Sequence, residues 1–151
     1  MNDPVRGPNE GTTVEILLVD DNEDDALLTL GALAKKDGRH VTWVEDGEEA
    51  LAFLRRIGKY AAVPRPALVL LDLTLPSKSG LEVLTEMKQD PNLRRIPVVI
   101  LSHSTAERDI IASYDRHANA YMTKTGDLEA FHDAIHQLER FWLSVVMLPK
   151  V

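Results

Sequence analysis

Short runs of Val, Ile and Leu alternate along the chain with longer stretches whose apolar residues recur every three or four positions. The runs Val14–Val19, His40–Val44, Ala67–Leu71, Pro97–Leu101 and Ala118–Met122 predict β-strands. Runs apolar throughout suit strands buried on both faces. Helical spacing fills the gaps. Ala26, Leu27, Leu30, Leu33 and Ala34 predict a helix from Asn22 to about Lys36, stopped by Asp37 and Gly38. Ala50, Leu51, Leu54 and Ile57 predict a second after Asp46 and Gly47, with Gly58 beyond its end. Lys59–Pro66 reads as a loop and Pro76 to Gly80 as a turn. Leu81, Leu84 and Met87 mark a third helix ending near Gln89, before Pro91. Thr105 to about Arg116 is a helix with a thin apolar face of Ile110, Ile111 and Tyr114. Asp127 to about Val146 carries the strongest pattern, with Leu128, Phe131, Ile135, Leu138, Trp142 and Val145 near a 3.6-residue period.

Strands alternating with helices imply a doubly wound α/β fold: a parallel sheet, helices on both faces, right-handed crossovers. The common five-strand arrangement is flavodoxin-like, with order 2-1-3-4-5. Ligands of such sheets gather at the carboxyl ends of the strands, at the switch point between strands 1 and 3. There the chain places Asp20 and Asp21 after strand 1 and Asp72 after strand 3. Ser102 follows strand 4 and Lys124 follows strand 5. Acids are rarely buried together unless a cation sits among them, and oxygen-only ligands suit a hard divalent cation, Mg²⁺ above all. An aspartate can act as a nucleophile and form an aspartyl phosphate, while a lysine and a metal offset charge on transferring oxygens.

Composition narrows the classes. The 151 residues suit one domain with a real core, 44% hydrophobic and 27% charged. There is no cysteine, which excludes disulfides, thiol catalysis and Cys-based metal sites. A net charge of −7 with no basic stripe argues against nucleic acid and against an anionic membrane surface. No apolar run approaches the ~20 residues that span a bilayer. Residues 1–13, with Pro4, Gly7, Pro8 and Gly11, read as a flexible leader without a signal's apolar segment, so cytoplasmic residence is expected.

Taken in order, the residues at the strand ends resemble the receiver domains of two-component response regulators, the CheY-like family, over roughly residues 14–146. Asp20 and Asp21 match its acidic pair and Asp72 its phospho-acceptor, with Pro76 and Gly80 four and eight residues later. Ser102 matches its Ser/Thr position, Tyr121 its switch aromatic and Lys124 its lysine. The loop Tyr60 to Pro66 and the tail Phe141 to Pro149 resemble single-domain regulators paired with phytochrome histidine kinases. The resemblance implies that Asp72 accepts a phosphoryl group from a kinase phosphohistidine. It implies that Asp20, Asp21, Asp72 and the backbone carbonyl of Thr74 hold Mg²⁺. It implies too that phosphorylation draws Ser102 toward the phosphoryl group and lets Tyr121 rotate inward. Output is then protein binding through the surface of helix 4, strand 5 and helix 5, since the remaining residues leave no room for an output domain.

Thr125 stands where the family has proline, and a trans Lys124–Thr125 bond with a looser loop is expected, because a cis bond before a non-proline costs ~3–4 kcal/mol. His103 stands where small residues are usual, and its ring is expected to shield the acyl phosphate from water. Each feature also has a plain reading. An acid pair before a helix is commonly a cap, Asp72 a turn residue, Ser102 a strand-end hydroxyl, Tyr121 a core aromatic and Lys124 a solvated charge. His132 and His136 have the spacing of a zinc helix but no evident third ligand, and read as a solvated face. Val145 to Leu148 extend the last helix beyond the needs of the fold and suggest a homodimer or partner seam. Two rival functions remain. One is a Mg²⁺-dependent phosphohydrolase with an Asp nucleophile, although Asn22 stands where its second acid belongs. The other is a flavodoxin-like nucleotide binder, which the run of acids after strand 1 disfavours.

Overall fold

The computed structural model describes residues 13–33, 39–124 and 126–149. The leader through residue 12, the Asp37–Gly38 helix stop and Thr125 with its preceding peptide bond lie outside the described residues. Five parallel strands form one sheet in the order 2-1-3-4-5. They are β1 (Val14–Val19), β2 (Arg39–Val44), β3 (Leu68–Leu71), β4 (Val98–Ser102) and β5 (Ala120–Thr123). The helices are α1 (Glu23–Ala32), α2 (Gly47–Arg55), α3 (Gly80–Gln89), α4 (Glu107–Asp115) and α5 (Leu128–Arg140).

Because side chains alternate across a strand, the central strands feed two separate cores. Leu17, Val19, Val69, Leu71, Val98 and Ile100 pack with Leu51, Leu54, Val83, Leu84 and Met87 of α2 and α3. Ile16, Leu18, Leu68, Leu70, Val99 and Leu101 pack with Ala26, Phe131, Ile135 and Leu138 of α1 and α5. Both faces of β1, β3 and β4 are therefore dry, which is why these strands lack polar alternation. Helix starts are fixed by side-chain caps: Asn22 accepts from the Asp25 N–H, Asp46 from Glu49, Ser79 from Glu82, and Asp127 from Glu129 and Ala130.

Several helix faces differ from those the spacing predicts. In α1, Leu27 is exposed and Thr29 is buried, its hydroxyl donating to the Asp25 carbonyl. Helix α2 stops at Arg55, short of Ile57: Arg56 takes a left-handed conformation (φ 57°) and caps the helix, the Ile57 N–H bonds the Ala52 carbonyl, and Ile57 turns to solvent. Its core face uses Phe53 instead. The following loop contains a 3₁₀ turn, Gly58–Tyr60. In α4 the apolar residues Ile111 and Tyr114 are about half exposed, and Ser113 is the residue it buries.

The long last helix is two pieces. After Arg140 the chain makes a π turn, Phe141–Val145, closed by the Val146 N–H on the Phe141 carbonyl. That extra residue per turn shifts the buried stripe from Leu138 to Leu143, leaving Phe141 and Val145 exposed. Arg39 at the start of β2 pairs with the buried Glu139 (Nη1 to Oε2, 2.8 Å) and donates to the Ser144 hydroxyl (3.4 Å). No helix among the described residues is long and apolar enough to cross a membrane.

Candidate functional site

The register of β1, β3, β4 and β5 brings their carboxyl ends level. Val19 lies opposite Leu71, Leu71 opposite Ile100, and Ser102 opposite Thr123. The residues that follow these strands must then share one cleft. Asp20, Asp72, Ser102 and Lys124 are all buried there, while Asp21 is exposed at the rim.

Lys124 is the centre of the cleft. Its Nζ lies 2.7 Å from Asp20 Oδ2, 2.7 Å from Asp72 Oδ2 and 3.1 Å from Asp25 Oδ2. An ammonium has three N–H donors, and each has a carboxylate. Burial alone would favour the neutral amine, but the bonds to Asp20 and Asp72 outweigh it and hold the ammonium well above the ordinary lysine range. Burial pushes the Asp20 carboxyl up, against the pull of Lys124 and of the Asn22 N–H. Asp25 goes the other way: burial opposes its charge, yet His103 and Lys124 together hold it below the usual carboxylate range.

The backbone fixes the acids. The Asp20 N–H donates to the Val44 carbonyl (3.1 Å), and its carbonyl accepts the Trp43 indole N–H (2.8 Å). Asp72 Oδ1 accepts the Thr74 N–H (3.2 Å). Gly80 lets α3 start against the loop that follows β3: its N–H reaches the Leu73 carbonyl, and a Cβ there would lie 2.1 Å from the Asp72 carbonyl oxygen. Ser102 Oγ accepts the Ser104 N–H (3.1 Å), and Tyr121 donates its hydroxyl to the Ser104 carbonyl (2.8 Å). Tyr121 already lies half-buried against the α2–α3 core in this structure. One residue of the β4–α4 loop, Ser104, thus joins Ser102 to Tyr121 through its N–H and its carbonyl.

Carboxylate oxygens of Asp20, Asp21 and Asp72 lie within 4.8 Å of one another. Among the described residues this is the group of three that can hold a metal ion, and His132 and His136 have no third ligand. Two buried acids and one exposed acid, with oxygen donors only, fit a hard divalent cation. Asp25 carries no mark in the sequence pattern: it is one of the acids on the first turn of α1, three residues after the N-cap Asn22. The ring of His103, largely exposed, places Nε2 2.8 Å from Asp25 Oδ2.

Comparison with known proteins gives the same answer as the geometry. The family model described as "Response regulator receiver domain" matches residues 16–136. Response regulator Rcp1 of Synechocystis is 47% identical over 135 residues, covering 89% of this chain and 92% of that protein. The crystal structure of the phosphorylated cyanobacterial phytochrome response regulator RcpA aligns with a TM-score of 0.89 at 48% identity, covering 92% of this chain and 100% of that one. The Mn²⁺-bound form of Rcp1 aligns with a TM-score of 0.86 at 45% identity, over 91% and 99% of the two chains. With acids, hydroxyl and lysine converging at the carboxyl edge of a 2-1-3-4-5 sheet, the chain belongs to the response regulator receiver domain family.

Proposed function

We propose that this chain is a phosphoryl acceptor in a two-component relay, taking the group on Asp72 from the phosphohistidine of a sensor kinase of the phytochrome type. The observation that carries the reading is the Lys124 ammonium, 2.7 Å from both Asp20 and Asp72 in a buried cleft. In the transfer, an Asp72 carboxylate oxygen forms a bond to phosphorus while the phosphorus–nitrogen bond breaks, and the imidazole keeps the electron pair. Lys124 moves from Asp72 to a phosphoryl oxygen and keeps its proton. Asp20, Asp21, Asp72 and the Thr74 carbonyl would hold Mg²⁺, which when bound offsets charge on the phosphoryl oxygens. The Mn²⁺-bound form of Rcp1 supports a divalent ion at such a site.

Ser102 then donates its hydroxyl to a phosphoryl oxygen. Moving Ser102 strains its bond to Ser104, and Tyr121 senses the displacement through the Ser104 carbonyl. The responsive surface is α4, β5 and α5. Helix α4 suits it, since it buries so little of its own apolar surface. Exposed Ile111, Tyr114, Phe141, Val145 and Met147 offer apolar area for a second copy or another protein. The phosphohydrolase alternative gains no support: Asn22, in place of a second acid, is spent capping α1. A cytoplasmic setting follows from the proposed kinase partner.

The test is to incubate the purified protein and Mg²⁺ with autophosphorylated sensor kinases, a phytochrome kinase among them, and to map the label. Label on Asp72, lost in Asp72→Asn, is expected, with the labelled protein sedimenting as a dimer. Label surviving that substitution would overturn the acceptor assignment, and a labelled monomer would overturn the dimer.

A further inference from the structure

Three carboxylates share the Lys124 ammonium, but they are not equivalent. Asp20 and Asp72 also belong to the cation cluster, and Asp72 is the group that the phosphoryl transfer consumes. Asp25 stands outside the cluster, on the first turn of α1, its own N–H bonded to the Asn22 side chain. It is the acid that still faces the lysine once the other two are engaged. The same oxygen, Asp25 Oδ2, also bonds His103 Nε2, at 2.8 Å against 3.1 Å for the lysine. His103 rides on the loop directly after Ser102. The carboxylate therefore ties α1, the lysine and the moving loop together at one atom.

We propose that Asp25 is a positioning residue for phosphoryl transfer: it holds Lys124 at the cleft as the amine leaves Asp72 for the phosphoryl group, and His103 sets the strength of that hold by competing for the same oxygen. The proposal rests on Asp72 being the acceptor. The low-lying carboxyl of Asp25, charged despite burial because of His103 and Lys124, agrees with it. Without Asp25 the ammonium has its remaining partners only on Asp20 and Asp72, so it is held on the ground-state acid and less well directed at the incoming group. Removing His103 frees the shared oxygen for the lysine and strengthens the hold.

The experiment uses acetyl phosphate as donor at saturating Mg²⁺, so that an oxygen of Asp72 bonds phosphorus as acetate leaves with the electron pair. Rates are measured for the wild type, Asp25→Asn, His103→Ala and the double variant, with Mg²⁺ affinity and urea midpoint measured alongside. Asp25→Asn is expected to slow the transfer about tenfold, the weight of one charge-assisted hydrogen bond in the transition state, with Mg²⁺ affinity within about twofold of wild type. Asp25→Glu is expected to recover part of the rate. His103→Ala is expected to accelerate transfer in the wild type and to have no effect in the Asp25→Asn background, since its action passes through Asp25.

A wild-type rate in folded Asp25→Asn would overturn the proposal. So would an equal effect of His103→Ala in both backgrounds, which would make His103 a steric cover. His103 is exposed, so its single variant keeps a test even if Asp25→Asn folds poorly: unchanged or slower transfer in His103→Ala would also overturn the proposal. Asp72→Asn serves as the control: a label that persists there fails the acceptor assignment, while a label lost there with Asp25→Asn unaffected fails only this inference.

Discussion

Replacing Lys124 by Met keeps the aliphatic side chain to within one atom of its length and removes its charge. The ammonium makes charge-assisted bonds of 2.7 Å to Asp20 and Asp72, and both acids are buried, at 1% and 8% exposure. Removing one partner of a buried ion pair costs about 3–5 kcal/mol, because the remaining charge is desolvated and unpaired. Here two carboxylates are left facing each other, and the loss of Asp25 as a partner adds little because it is closer to solvent. The whole stability of such a domain is only about 5–15 kcal/mol, so the loss is a large part of it. For a chain of this size it corresponds to a fall in melting temperature of roughly 10 °C. The assay is thermal and urea unfolding of wild type and Lys124→Met, first with a chelator and then with saturating Mg²⁺. With the chelator the full gap is expected. With Mg²⁺ the gap narrows, because the variant's free acids bind the ion without competition from the ammonium. A variant as stable as the wild type in the chelator would refute the idea that the ammonium holds these acids together.

Gly80→Ala is expected to cost about 2–3 kcal/mol in urea unfolding and to slow phosphorylation, since its Cβ would sit 2.1 Å from the Asp72 carbonyl and 2.7 Å from Leu73 Cα, both backbone; a neutral substitution would mean that α3 can slide off the loop after β3 freely. Asp25 should give an acid-limb signature. Its folded carboxyl lies below the ordinary value of 3.8, so its contribution is present above pH 3.8 and is lost as pH falls through the folded value. The stability difference between wild type and Asp25→Asn should therefore shrink on acidification below that pH, and a difference that grows would reverse the sign of this interaction.

Much of this protein is legible in one dimension. Ile16–Val19 and Leu68–Leu71 announce themselves because a strand buried on both faces has nowhere to put a polar residue. Asp20, Asp72 and Lys124 follow strands of one parallel sheet and Ser102 ends another, and parallel strands of similar register must end at the same edge. Periodicity was less reliable at element ends. It placed Ile57 in the core, where the left-handed Arg56 turns it outward, and it ran one regular helix through Phe141–Val145, where a π turn moves the buried position to Leu143.

The alternation of elements, the sheet order and the acids and lysine of the cleft were set by the sequence, because each depends on local spacing and on the level ends of parallel strands. Only the tertiary structure decided that Glu139 is buried against Arg39, that Tyr121 bonds the Ser104 carbonyl, and that His103 and Lys124 meet at Asp25. Each of those contacts joins residues on different elements. Their distances depend on how α1, the β4–α4 loop and α5 settle on the sheet, and the packing of whole side-chain layers fixes that, which no spacing along the chain can express.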